Sequence, residues 1–282
     1  MIWQPEAYSL ALLGACAIYV LLGFYVLSGD ARPLANRLLI LMSGSMAVWA
    51  IALSFGGIAP DPEAAVVWRR VSAVGWTTLF AFLLHFVMAL TERRRLLAAW
   101  LTYPVMYAPA AVSLYVFALR GELAAFHADV VPIATGWTAI ASGTAANWMF
   151  FAYYAAAVVV SLALIVHWGE GSADPAVRAT ARMLTAAFLL ALVLGSLSDR
   201  IANVVLAGVL PQTAPLVILV PVAAFVVAMR RFGLLAPPAR RRSADEGRIL
   251  SDEKRAQFYR HLSLAFVVGA LLNVLHFHFW VY

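Results

Sequence analysis

Eight long apolar runs, separated by short polar segments, constrain the fold of this chain more than any other feature. A helix needs about 20 apolar residues to cross the hydrocarbon core of a bilayer, where it satisfies its own backbone hydrogen bonds. The runs are too long and continuous for the strands of a membrane barrel. They predict an all-α fold, a polytopic membrane helix bundle, with spans at 7–27, 38–58, 71–90, 100–119, 148–168, 183–206, 216–229 and 262–282.

Composition supports a membrane protein and argues against an enzyme. The chain is 64% hydrophobic and 12% charged, and its mean hydropathy of +0.86 is far from that of a soluble globular domain. Its 282 residues are accounted for by about eight spans and their loops. It carries no phosphate-binding glycine loop, HExxH motif, GxSxG elbow or kinase signature. We therefore expect no catalytic residue.

The distribution of Lys and Arg predicts the orientation of the bundle. With the N-terminus outside, 16 of the 20 basic residues lie on the inner side of the membrane. Only Arg69, Arg70 and Arg120 then lie outside, while Arg200 falls within the sixth run. This asymmetry follows the positive-inside rule and predicts an N-terminus outside. It also explains the net charge of +6 without a nucleic acid partner, and we expect none.

A polar cluster in the sixth run is the strongest candidate site. Asp199, Arg200 and Asn203 interrupt this run, and charged groups in hydrocarbon usually face a bundle interior or water. Arg69 and Arg70 begin the third run on the same side of the membrane, so either could pair with Asp199. One interpretation is an outward-facing ligand-binding pocket built from these five residues. The other is a structural salt bridge between helices, with Arg200 extending outward to water.

The six histidines do not form an obvious cofactor site. Axial ligation of a haem needs two histidines at one depth on facing helices. By helical rise, His85 and His276 lie roughly 12 Å apart in depth, and His276 and His278 point to different faces of one helix. We predict no metal site and no cofactor.

Local motifs predict a hairpin, a capped helix start and helix kinks. Two short β-branched runs around Gly136, in the long outer loop, predict a small hairpin that lies on the bundle as a cap. The sequence Pro60-Asp61-Pro62-Glu63 favours a turn and a capped start to the third helix. Prolines 104 and 109 in the fourth run, and 215 and 221 in the seventh, are expected to kink their helices.

A set of landmarks follows one order along the chain. They are Asn36-Arg37, Trp49, Trp68-Arg69-Arg70, Gly75, Thr91-Glu92-Arg93-Arg94, Gly136-Trp137, Leu210-Pro211, Ala214-Pro215 and Arg231-Phe232-Gly233-Leu234-Leu235. Together these landmarks resemble a known family, the seven-helix N-terminal membrane region of bacterial sensor histidine kinases. The resemblance covers about residues 7–235.

The resemblance implies a membrane sensory module in the bacterial inner membrane, followed in its family by kinase, PAS or diguanylate cyclase domains in the cytoplasm. This chain departs from that pattern after Leu235. We expect three regions: a sensor-like domain at 1–235, a basic cytoplasmic linker at 236–261 and an eighth transmembrane helix at 262–282.

The function predicted from these observations is detection of an outer-side or intramembrane signal and its relay to a cytoplasmic output domain or partner. The expected partners are the lipid bilayer, an unidentified small ligand or membrane signal, and a signalling partner at the basic linker. A small transporter or permease is the alternative. That class would show internal repeats with broken helices in matching positions.

Overall fold

The computed structural model describes residues 4–29, 31–120, 130–139, 144–196 and 211–235. Within these ranges most of the chain is helical, with one two-stranded hairpin. The helices are α1 (Pro5–Gly29), α2 (Leu34–Gly57), α3 (Pro62–Leu90), α4 (Arg94–Ala98), α5 (Thr102–Leu114), α6 (Ala145–Glu170), α7 (Pro175–Ser196), α8 (Ala214–Val217) and α9 (Leu219–Phe232); the strands are β1 (Val130–Ile133) and β2 (Gly136–Ala139).

Seven segments in the described part of the chain are long and apolar enough to cross a membrane. They are Pro5–Gly29, Leu34–Gly57, Pro62–Leu90, Thr102–Arg120, Ala145–Glu170, Pro175–Gly195 and Ala214–Phe232. The predicted all-α polytopic membrane bundle is confirmed. The predicted linker at 236–261 and eighth span at 262–282 lie outside the described residues.

Two helices begin about two turns earlier than the hydropathy windows predicted. The third begins at Pro62 rather than 71, and the sixth begins at Pro175 rather than 183. The first nine residues of these helices carry Arg69, Arg70, Arg178 and Arg182, which lower hydropathy without opposing helix formation. The predicted cap is confirmed for α3, since the Asp61 side chain accepts a hydrogen bond from the Ala64 amide at 2.7 Å.

Helix α3 lies at the centre of the bundle. It packs most extensively against α2, and it also contacts α5 and α6; α7 packs against α6 and α9. One apolar core joins α1, α2, α3, α6, α7 and α9, and it includes the fully buried Leu39, Phe86, Ile165 and Leu184. The outer faces carry large exposed apolar side chains such as Val105, Trp148 and Val159, as expected of helices that contact lipid.

The predicted hairpin is confirmed, and it caps the turn between α2 and α3. Its register pairs Val130 with Ala139 and Ile133 with Gly136. The indole nitrogen Nε1 of Trp137 donates a hydrogen bond to the Ala59 carbonyl oxygen at 2.8 Å. We call this end of the bundle the hairpin end. The opposite end carries Arg93, Arg94, Arg230 and Arg231, and we call it the arginine end.

The prolines act differently in the two spans that contain them. Pro104 lies in the first turn of α5, where a missing N–H costs little. Pro109 lies inside α5, and the span continues as a π-helix over Tyr115–Arg120. The seventh span is divided at Ile218, between Pro215 and Pro221. The kinks expected at these four prolines stay predictions.

Candidate ligand site

A cavity with a volume of about 220 Å³ lies within the bundle. We call it the central cavity. The described residues that line it are Leu39, Met42, Met46 and Trp49 of α2; Arg69, Trp76, Leu79, Phe80 and Leu83 of α3; Asn147, Phe150, Tyr154 and Val158 of α6; Phe188, Ala191, Leu192 and Gly195 of α7; and Gln212, Ala214, Ile218, Pro221, Val222 and Phe225 of the seventh span and the turn before it.

Aromatic side chains form much of the cavity wall and pack against one another. Trp76 and Phe150 meet edge to face with ring centroids 4.5 Å apart. Phe80 and Tyr154 do the same at 4.6 Å. Such pairs hold large side chains in fixed orientations. The wall between α3 and α6 is therefore preformed.

Phe225 lines the end of the cavity away from the hairpin and contacts two neighbouring helices. Its ring lies 5.3 Å from that of Phe86 on α3 and 5.8 Å from that of Phe188 on α7, measured between centroids. It is buried, with 2% of its surface exposed. One side chain of α9 thus touches the cavity, α3 and α7 together.

The hairpin end of the cavity is polar. Arg69 and Asn147 line it near the beginnings of α3 and α6, and Gln212 lies just before α8. Arg69, Gln212 and Thr138 also line a smaller adjoining cavity beneath the hairpin. Because a helical side chain points back toward the helix N-terminus, the Arg69 guanidinium extends toward the hairpin end.

The turn that carries Gln212 is held by two tyrosines of α1. The Tyr8 hydroxyl donates to the carbonyl oxygen of Gln212, and the Tyr19 hydroxyl donates to that of Pro215. Tyr19 is fully buried. The hydrogen bonds anchor the beginning of the seventh span to the first helix, although the two are far apart in sequence.

The two predicted arginines of α3 are placed differently. Arg69 lines the cavity. Arg70 points to the π-helical end of the fourth span, where Nε donates to the Ala118 carbonyl at 3.0 Å and Nη2 to the Leu119 carbonyl at 2.7 Å. The other predicted site residues, Asp199, Arg200 and Asn203, lie outside the described residues. Gly195 and Gln212, the cavity residues nearest to them in sequence, lie on either side of that gap.

Sequence analysis missed the aromatic wall, although one signal for it was present. On α3, Arg69, Trp76, Phe80 and Leu83 follow spacings of seven, four and three residues, which place them on one helical face. Selecting the α3 residues that share a helical face with Arg69 would have identified the part of the cavity wall that α3 contributes. The contributions of Phe150 and Phe225 carry no such signal, because they come from other helices.

A second polar contact lies inside the bundle, between α3 and α5. His85 is buried, and its Nδ1 lies 2.8 Å from the Tyr107 hydroxyl. Its ring also packs edge to face against Tyr103, with centroids 5.6 Å apart. In the part of the chain that the structure describes, no group of three or more His, Cys, Asp or Glu side chains is arranged to hold a metal ion.

Comparison with protein-family models matches residues 11–238 to the N-terminal 7TM region of histidine kinase. The chain belongs to this family. The resemblance stated from the sequence landmarks is therefore confirmed. No curated protein and no solved structure matches the chain.

Membership of the histidine kinase 7TM family shows that this chain is a multi-pass membrane sensor module in contact with the lipid bilayer. The matched region is the noncatalytic input region of those kinases. Landmark residues of the resemblance make packing contacts in this fold: Gly75 packs against Trp49, and Gly136 packs against Gly57.

Proposed function

We propose that this module responds to a ligand in the central cavity and passes the response along α9 to the segment that follows Phe232. One observation carries the proposal: side chains of α2 and α3, of α6, and of α7 and α9 all line the cavity. An occupant would set how far α7 and α9 stand from α2 and α3. A ligand can shift an equilibrium only through such differential contact with two arrangements.

Phe225 gives the response a route out of the cavity. It contacts Phe86 and Phe188, and α9 continues for seven residues from Phe225 to Phe232, roughly 10 Å of rise. Gly233 ends the helix with a left-handed backbone, and the Leu234 amide donates to the Ala228 carbonyl at 3.1 Å. A shift of Phe225 would therefore move the last two turns of α9 as one unit.

The output side is proposed to be the cytoplasm, in a bacterial inner membrane. Described arginines are concentrated at the arginine end, where α9 terminates. This asymmetry favours an N-terminus outside under the positive-inside rule. The proposed partner contact is the basic segment between Arg230 and His261, or an output domain reached through it.

The remaining predicted residues belong to the same proposal. Asp199, Arg200 and Asn203 are proposed to complete the polar end of the site with Arg69. Arg70 is proposed to support that site by holding the fourth span against α3 through its two carbonyl contacts. Replacement of Asp199 by Asn should then alter signalling or stability.

Filling the cavity tests the relay. The full chain, with Cys16 replaced by Ala, would carry nitroxide labels at Glu170 and Arg231, two exposed positions at the arginine end. Val222→Trp places a large side chain in the cavity, since Val222 is buried in its wall. The distance between the labels should change by about 1–2 Å or more, as in other helix-shift transitions.

The matched control is Val227→Trp, on the same helix at a position with 43% of its surface exposed. It should leave the distance distribution unchanged. If Val222→Trp and Val227→Trp both give the wild-type distribution in lipid nanodiscs, cavity occupancy does not move α9 and the proposal is wrong.

A further inference from the structure

We infer that the turn between α3 and α5, at the arginine end, binds an anionic phospholipid of the bilayer. Arg93, Arg94 and Arg95 hold the phosphate of its headgroup, and one acyl chain lies along the exposed face of α5. None of these three arginines lines the central cavity. The inference therefore goes beyond the proposed function and does not depend on it.

Three consecutive arginines concentrate positive charge in this turn. Arg94 and Arg95 are exposed, and Arg93 is half-buried. The acidic residue of the turn is Glu92, which is also exposed. Three arginines against one glutamate leave the segment 91–101 with a net charge of +2. The turn joins two membrane-spanning segments, and basic clusters in such positions attract anionic lipids.

The guanidinium of Arg93 keeps a donor free for a ligand. Its Nε is buried and has no hydrogen-bond partner among the described residues. Arg70 differs, because its guanidinium donates to two carbonyl oxygens of the fourth span. A buried donor without an acceptor is costly, and a phosphate oxygen would satisfy it. The planar fork of a guanidinium matches the geometry of phosphate oxygens.

Hydrogen bonds hold the turn in place on both sides. The Arg93 amide donates to the carbonyl oxygen of Met88 on α3 at 3.0 Å. The Tyr103 hydroxyl, in the first turn of α5, donates to the carbonyl oxygen of Leu97 on α4 at 3.1 Å. The backbone that carries the arginines is thus anchored to α3 and to α5. An anchored site loses less conformational freedom when it binds a ligand.

An exposed apolar face begins six residues after Arg95 and continues along α5. Leu101, Val105 and Val112 are 56%, 69% and 46% exposed, and their spacings of four and seven residues place them on one helical face. The rise from Leu101 to Val112 is roughly 16 Å, about half of the hydrocarbon core of a bilayer. This face therefore fits the acyl chain of a lipid in the leaflet at the arginine end.

The same surroundings favour an anionic lipid over other ligands. Trp100 is 74% exposed, and tryptophan at the end of a membrane span commonly lies at the level of the lipid headgroups. A free phosphate ion would leave the apolar face of α5 without a role. The ammonium group of a zwitterionic headgroup would add a like charge beside three arginines. We therefore commit to a headgroup with a net negative charge, such as phosphatidylglycerol.

Binding of two matched lipids to the full chain in detergent micelles tests the inference. Phosphatidylglycerol and phosphatidylcholine with the same acyl chains differ in the net charge of the headgroup. Native mass spectrometry counts the lipids bound at each lipid concentration and gives an apparent Kd for each. Phosphatidylglycerol should bind at least about tenfold more tightly, because several arginines contribute to the attraction.

Two double variants assign the preference to the turn. Arg94→Gln with Arg95→Gln should weaken phosphatidylglycerol binding by about tenfold or more and leave phosphatidylcholine binding unchanged. The matched control is Arg178→Gln with Arg182→Gln, which removes two exposed arginines of α7 at the same end. The control should bind phosphatidylglycerol as the wild type does.

Photocrosslinking locates the acyl chain. Phosphatidylglycerol and phosphatidylcholine that carry a diazirine on one acyl chain are compared in lipid nanodiscs. Crosslinks to the segment 101–112 should be enriched for phosphatidylglycerol, relative to crosslinks to the segment 159–166 of α6, which also has exposed apolar side chains. The enrichment should disappear in the variant with Arg94→Gln and Arg95→Gln.

Three results would overturn the inference. Equal binding of the two lipids by the wild type excludes a preference for an anionic headgroup. Equal weakening in the two double variants assigns the preference to the basic end as a whole. Displacement of phosphatidylglycerol by glycerol phosphate, which lacks acyl chains, assigns the turn to a soluble phosphate. If the variant with Arg94→Gln and Arg95→Gln does not fold, the wild-type lipid comparison and the crosslink positions decide the question.

Discussion

Gly75 of α3 packs directly against Trp49 of α2. A β-carbon at position 75 would lie 2.7 Å from both the backbone nitrogen and the Cβ of Trp49, and 2.5 Å from the Ser45 carbonyl oxygen. Such a close approach of two membrane helices needs a small residue at the crossing. It also fixes Trp49 in the wall of the central cavity.

Replacement of Gly75 by Ala should therefore separate α2 from α3. The backbone atoms it would meet cannot rotate away, so we expect a loss of about 1–3 kcal/mol in the free energy of unfolding. Unfolding of the purified protein in mixed micelles measures it. Gly44→Ala is the control, because a β-carbon at Gly44 of α2 meets nothing within 4 Å. Since Ala has a higher helix propensity than Gly, this variant should lose no free energy of unfolding. Equal effects at the two positions would contradict the close contact.

The hairpin cap depends on Gly136. This residue has a φ of +103°, and a β-carbon there would lie 1.6 Å from the Gly57 carbonyl oxygen. Gly136→Ala should release the hairpin from the turn between α2 and α3. Hydrogen exchange of the segment 130–139, followed by mass spectrometry, should become faster. Ala134→Ser, at an exposed position in the same hairpin, is the control and should keep the wild-type rate of hydrogen exchange. If Gly136→Ala also exchanges at the wild-type rate, the cap does not need the contact between Gly136 and Gly57.

Arg70 ties α3 to the end of the fourth span. Arg70→Met retains much of the apolar stem and removes the hydrogen bonds to Ala118 and Leu119. Because Arg70 is partly exposed, we expect a modest loss of about 1–2 kcal/mol in the free energy of unfolding. Thermal unfolding in detergent measures it. Arg120→Met, at an exposed position at the same end, is the control and should lower the free energy of unfolding by less. An equal loss in the two variants would assign the effect to the removed charge rather than to the hydrogen bonds.

His85 and Tyr107 should show energetic coupling across α3 and α5. A double-mutant cycle with His85→Leu and Tyr107→Phe isolates their hydrogen bond. Such bonds inside membrane proteins contribute about 0.6 kcal/mol, with a maximum of about 1.7 kcal/mol. The matched cycle pairs His85→Leu with Tyr153→Phe, since the Tyr153 hydroxyl donates instead to the Met106 carbonyl. Coupling no larger than in this matched cycle would argue against the bond.

The sequence predicted the helices more completely than the site. Apolar runs identified seven described spans because hydropathy is a local property of the chain. The hydropathy windows began about two turns after the starts of α3 and α7, because arginines lower hydropathy where helix propensity stays high. For α3, the capping signal at Pro60–Glu63 had indicated the start correctly. The hairpin was predicted from its β-branched runs and glycine, which also act locally.

Family, fold class and the position of Arg69 in a polar region were thus determined by the sequence alone. Only the tertiary structure decided that Arg69 lines a cavity while Arg70 holds the carbonyls of Ala118 and Leu119. Adjacent residues on a helix point about 100° apart, so each faces a different neighbour. Which helix lies on each side depends on how distant segments pack together, and local patterns in the sequence do not reveal that packing.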